Sequence, residues 1–115
     1  MLQQRIADTL MSNNMGGGFF FRNVGEKNPR VTFEQNKVEH CGVKILNNTS
    51  PGVIDLFIQN TRMLTISNNY VSHNAGGITV NTTTKDNDVA IYANITNNVV
   101  MYNTHGVPLH LEGKF

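Results

Sequence analysis

A chain of 115 residues is long enough for one ordinary domain, and its formal charge is +1 with the nine Lys and Arg scattered singly. That scatter excludes the clustered basic face of a nucleic-acid binder and the polybasic patch of a membrane-surface segment. No apolar run approaches the roughly 18 residues of a membrane-spanning helix, and one cysteine excludes an internal disulfide.

Leu2 to Met11 is free of glycine and places Leu2, Ile6 and Leu10 at helical spacing. Asp8 and Leu10 align with later repeats, however, so strand and corner are expected there. Gly16-Gly17-Gly18 leads into Phe19-Phe20-Phe21, the first strong strand signal. Val31-Thr32-Phe33 follows, and then Val38-Glu39-His40-Cys41-Gly42-Val43-Lys44-Ile45. That text returns as Val71-Ser72-His73-Asn74-Ala75-Gly76-Gly77-Ile78-Thr79-Val80 and again as Val100-Met101-Tyr102-Asn103-Thr104-His105-Gly106-Val107-Pro108-Leu109. Aligning Leu10, Val38, Val71 and Val100 gives steps of 28, 33 and 29 residues. A period of that length, built from short β runs between Asn and Gly corners, marks stacked repeats.

Three strand sets are expected. One holds Val31–Phe33, Leu64–Ile66 and Asn94–Thr96. A second holds Phe19–Phe21, Val43–Ile45, Ile78–Val80 and Val107–Leu109. A third holds Val53–Ile58 and Val89–Ala93, where Val89, Ile91, Ala93 and Ile95 face one way and Ala90, Tyr92 and Asn94 the other. The expectation is an all-β, right-handed parallel β-helix of about four coils, roughly residues 1–28, 29–60, 61–93 and 94–115. Four coils are a short stack without polar caps, so the chain reads as an excerpt of a longer solenoid with further coils at both ends. Its N-terminus lacks a secretory signal pattern, which says nothing about a longer protein.

Asparagine occurs 17 times. Asn36, Asn69 and Asn98 each sit two residues before the aligned valine, with Asp8 in that place upstream. In register, their carboxamides can bond along the stack as a structural ladder. Gly42, Gly77 and Gly106 occupy the next corner, where a positive φ favours glycine. Cys41 replaces Asn74 and Asn103 in the alignment. It reads as a buried inert thiol, with a cross-link to a segment beyond this stretch or a reactive thiol as the alternative.

The pattern x-x-Asn-x-Val-x-x-Asn-x-x-Gly-Ile-x-Val, clearest from Ser67 to Val80, resembles the right-handed parallel β-helix repeat. That repeat occurs in pectin-degrading enzymes, alginate epimerases, phage tailspikes and animal surface proteins, so it implies a fold and not an activity. The coil length, the Gly-Gly before the strand and the many sequons resemble the ectodomain of the bark beetle (anakonda) proteins. This implies a large animal transmembrane protein of epithelial tricellular junctions.

Chemistry-bearing constellations are sparse. Hydrolysis of a glycosidic bond needs grouped carboxylates. Glu34 aligns with Ser67 and Thr96, and Glu39 with Ser72 and Met101, so neither meets an acid in the adjacent coil. Asp86-Asn87-Asp88 has oxygen ligands at i and i+2 but lacks the glycine and distal glutamate of a calcium loop, and reads as a solvated corner. His40 and His73 fall at equivalent positions beside Tyr102, and two ligands are too few for a metal site. No catalytic residue, metal or cofactor is expected.

The remaining signal is glycosylation. Asn47 and Asn48 begin overlapping sequons, followed by Asn81-Thr82-Thr83 and Asn94-Ile95-Thr96. Asn47, Asn48 and Asn81 belong to the expected protruding loops Leu46–Gly52 and Asn81–Asp88, and Asn94 to an outward strand face. These signals and the resemblance lead to a non-catalytic scaffold, secreted or on the extracellular face of the plasma membrane. It would take a protein or glycan partner at the cell surface, with no nucleic acid and no membrane contact by this segment. The alternative is a carbohydrate-active or glycan-binding β-helix whose acidic site lies largely outside these residues.

Overall fold

A computed structural model describes residues 3–13, 19–23, 30–41, 52–58, 61–82, 91–104, 108–113 and 115. They contain twelve strands and no helix. In chain order these are β1 (Gln3–Ala7), β2 (Leu10–Ser12), β3 (Phe19–Asn23), β4 (Arg30–Glu34), β5 (Lys37–Glu39), β6 (Gly52–Ile58), β7 (Met63–Ser67), β8 (Tyr70–Ser72), β9 (Gly77–Asn81), β10 (Tyr92–Thr96), β11 (Val99–Met101) and β12 (Leu109–Glu112).

Each strand pairs in parallel with the strands three places before and after it. The result is three four-stranded sheets, β1-β4-β7-β10, β2-β5-β8-β11 and β3-β6-β9-β12. The all-β expectation agrees with this. The finer expectation of a right-handed parallel β-helix is corrected, because the strands form three separate sheets and not a single helical solenoid. The corners supply the physical reason. Between the first and second sheets the backbone leaves the extended region at Asp8, Gln35, Asn68 and Asn97, with φ of 53°, 55°, 55° and 56°. Between the second and third it does so at Asn13, His40, His73 and Tyr102, with φ of 58°, 56°, 57° and 56°. A left-handed residue follows each strand of the first two sheets, so ladder pairing restarts in the next sheet.

Alternation decides which side chains enter the space between the sheets. Val31 and Phe33 of β4, Leu64 and Ile66 of β7, and Leu56 and Ile58 of β6 are buried, with half-buried Thr32, Thr65 and Phe57 between them. In-register columns result, such as Ile6, Phe33, Ile66 and Ile95, or Met11, Val38, Val71 and Val100. Val38, Cys41, Ile54, Val71, Ile78, Val80 and Ile91 complete the buried cluster, with Ile6, Met11, Phe21, Ile95 and Val100 packed against it. Each fully buried aliphatic or Phe side chain contributes about 1.5–3 kcal/mol of transfer free energy.

The set Val31–Phe33, Leu64–Ile66 and Asn94–Thr96 falls in one sheet as expected from sequence. The third set does not. Val53–Ile58 lies within β6, which pairs with β3 and β9, and residues 92–96 belong to the first sheet. A bulge between Gly52 and Ile54 adjusts that register. Val43–Ile45, Val107 and the pleat positions Val89 and Ala90 lie outside the described residues, while Leu109 opens β12 opposite Ile78. Across 91–95 the alternation holds, with Ile91 buried, Tyr92 and Asn94 exposed, and Ala93 and Ile95 half-buried.

The upstream alignment also shifts by one residue. Met11, not Leu10, pairs with Val38, so Thr9 and not Asp8 takes the place of Asn36. Leu10 is accordingly 66% exposed.

Candidate functional site

At the corner between the first two sheets, every level carries one inward polar residue directly after its left-handed one. The Asn69 carboxamide oxygen accepts from the Asn36 backbone N–H at 3.0 Å and from Asn36 Nδ2 at 3.2 Å. Asn69 Nδ2 donates to Phe33 O at 3.1 Å and to Asn98 Oδ1 at 2.9 Å, while the Asn69 N–H reaches Asn98 Oδ1 at 3.0 Å. Asn36 Oδ1 accepts from the Thr9 N–H at 3.1 Å, and Asn98 Nδ2 donates to Ile66 O at 2.9 Å. Asn36, Asn69 and Asn98 therefore stand in one column. Their amides supply the acceptors that the turned backbone cannot, as buried polar groups require.

A second ladder occupies the next corner, and sequence reasoning missed it. The Cys41 N–H donates to Asn74 Oδ1 at 2.9 Å, and the Asn74 N–H to Asn103 Oδ1 at 3.0 Å. Asn74 Nδ2 donates to Val38 O at 2.9 Å. The Cys41 thiol points at the equivalent carbonyl one level away, Met11 O at 3.7 Å, and at Glu39 O at 3.4 Å. The substitution of Cys41 for an asparagine in the alignment was the available signal. The thiol is free and fully buried.

The corner glycines need correction. Gly77 is described, and it is the buried first residue of β9, absent from the positive-φ positions. Gly42 and Gly106 lie outside the described residues. The left-handed backbone is carried by His40, His73 and Tyr102 instead, all of them exposed. Their rings form a column: His40 and His73 stack with centroids 5.1 Å apart at 22°, and His73 and Tyr102 lie tilted at 34° with centroids 5.2 Å apart. His73 Nδ1 sits 3.1 Å from Ser72 Oγ. No group of three His, Cys, Asp or Glu that could hold a metal occurs among the described residues. His105 lies outside them, and His110 stands apart on β12, 3.7 Å from Glu112.

Described acids sit beside bases or neutral residues. Arg5 Nε pairs with Glu34 at 2.6 Å, Arg5 with Asp8 at 3.8 Å, and Lys37 with Glu39 at 3.6 Å. In register, Glu34 meets Ala7 and Ser67, and Glu39 meets Ser12 and Ser72. Asp55 meets Phe20 and Thr79. Asp86–Asp88 and Glu26 lie outside the described residues.

Of the sequon asparagines, Asn47 and Asn48 are likewise outside. Asn81 closes β9 and is half-buried, with buried Thr82 behind it, so it belongs to a strand and not to the expected protruding loop. Asn94 is exposed on β10, opposite Thr65.

Over 111 residues, 95% of its length, the chain is 25% identical to Protein bark beetle of Drosophila melanogaster. It spans 4% of that protein's length. No protein-family profile matches the chain, and no solved structure matches it.

Proposed function

We propose that this chain is part of a non-catalytic interaction scaffold on the extracellular face of an animal cell, secreted or membrane-attached, serving adhesion or junction organisation. The observation that carries the reading is the similarity to Protein bark beetle along 95% of the chain. The outer faces fit a contact role. Stacked levels repeat half-exposed polar positions such as Thr32 and Thr65, and one corner displays the ring column His40, His73 and Tyr102. Planar rings at a rim offer large contact area at little conformational cost.

Binding of the secreted chain to the surface of epithelial cells tests this. The expected result is saturable binding that falls when His73 and Tyr102 are both changed to Ala. Absence of binding would contradict the scaffold, and release of reducing or unsaturated ends from uronic-acid polymers by the wild-type chain would replace it with a carbohydrate-active reading.

A further inference from the structure

We infer that Asn94 is an N-glycosylation site whose first sugar is seated on the ring of Tyr92. The strand β10 runs Tyr92-Ala93-Asn94-Ile95-Thr96, and exposure alternates along it. Tyr92, Asn94 and Thr96 are all exposed and share one face, because strand side chains repeat every second residue. The acceptor amide thus has the hydroxyl of its sequon on one side and an aromatic ring on the other. Tyr92 is 67% exposed, and its backbone N–H is already engaged by Arg62 O at 2.9 Å, so the ring projects from a fixed strand. An aromatic face carries negative charge density and attracts the polarised C–H groups on the flat side of a pyranose.

The equivalent positions on neighbouring strands are Met63, Thr65 and Ser67 on β7, and Arg30, Thr32 and Glu34 on β4. Neither trio combines ring, amide and hydroxyl, so β4 and β7 do not repeat the arrangement of β10. Thr32 and Thr65, with strands on both sides, remain half-exposed in the Asn94 column. That outward face therefore stays open to a glycan when flanked. Asn81 lacks these features, being half-buried in β9 with Thr82 buried beside it.

In the transfer, Asn94 Nδ2 forms a bond to the anomeric carbon of an oligosaccharide carried on a polyprenyl diphosphate. The bond from that carbon to the diphosphate oxygen breaks, the lipid diphosphate leaves, and the amide loses one proton. The inference rests on the extracellular reading for its access to that donor.

The test is intact glycopeptide mass spectrometry on the full chain secreted from animal cells, with melting compared before and after enzymatic glycan removal. Asn94 is expected to be occupied, with the glycosylated form melting higher by about 3 °C. Tyr92→Ala should keep occupancy and lose that gain, while Tyr92→Phe keeps both. An unmodified Asn94, or an equal gain in Tyr92→Ala, overturns the inference. Occupancy is read from peptides, so a poorly folded variant still reports on the acceptor. Cell binding of the same secreted chain scores the scaffold reading separately, so either reading can fail while the other stands.

Discussion

The amide oxygen of Asn69 accepts two hydrogen bonds from Asn36, one from its backbone N–H at 3.0 Å and one from its carboxamide at 3.2 Å. The side chain of one level thereby completes the backbone pairing of the level before it. Asn69 is 2% exposed, so no water substitutes when it is removed. Asn69→Ala leaves the Asn36 backbone N–H without its acceptor and removes the Nδ2 donor to Phe33 O and Asn98 Oδ1, while Asn36 Nδ2 keeps its bond to Ile6 O at 3.0 Å. The cost is about 1–3 kcal/mol for each buried group left unsatisfied. Chemical denaturation of the variant should show a loss of several kcal/mol. A midpoint unchanged from wild type contradicts the buried ladder.

Gly113 is the one described glycine with a positive φ, at 128°, and a Cβ there would lie 1.8 Å from Thr82 Oγ1. Thr82 donates its N–H to Glu112 O at 2.9 Å, tying the last strand to β9. Gly113→Ala must therefore strain the backbone and displace Thr82. A loss of about 2 kcal/mol or more in thermal melting is expected from the conformation and the clash together. Tolerance of alanine would show that this junction is not fixed as described.

Gln35 is exposed and left-handed, with φ of 55°. Its side chain has no packing role to confound the result. Gln35→Val should cost about 1–2 kcal/mol because a β-branched side chain resists that conformation. Gln35→Asn should be neutral. Equal stability of the two variants by urea titration would place the corner elsewhere.

Cys41 is fully buried. Its thiol should resist alkylation in the native chain and react within seconds after unfolding. Rapid labelling under native conditions would restore the reading of a reactive thiol.

The parts of this fold legible in sequence were those in which one residue type does the same physical job at every level. Asn36, Asn69 and Asn98 were visible because the same carboxamide, which both donates and accepts along the stack, recurs at each level. Val31–Phe33 and Leu64–Ile66 were visible because they alternate cleanly around buried positions. The second ladder was hidden because Cys41 fills the place with a weak donor to the same kind of carbonyl. The left-handed corners were hidden because His40, His73 and Tyr102 occupy them in place of glycine, with an inward residue capping each turn from behind. Pairing of β6 with β3 was hidden because the segments between them differ in length from level to level, so spacing alone misassigned Val53–Ile58. The exposed trio Tyr92, Asn94 and Thr96 was half legible: the sequon can be read from sequence, but the open face beneath it needed the fold.

The asparagine columns depend on strand register across the first sheet, where Thr32 of β4 sits opposite Thr65 of β7. A disulfide forms when Cα atoms lie within about 7 Å, and each residue along a strand adds about 3.3 Å. Oxidation of a Thr32→Cys, Thr65→Cys double variant should close the bridge, while a Thr32→Cys, Ser67→Cys pair, displaced by two residues, should not. Efficient bridging of the displaced pair and none of the aligned one would contradict the register, and with it both asparagine ladders.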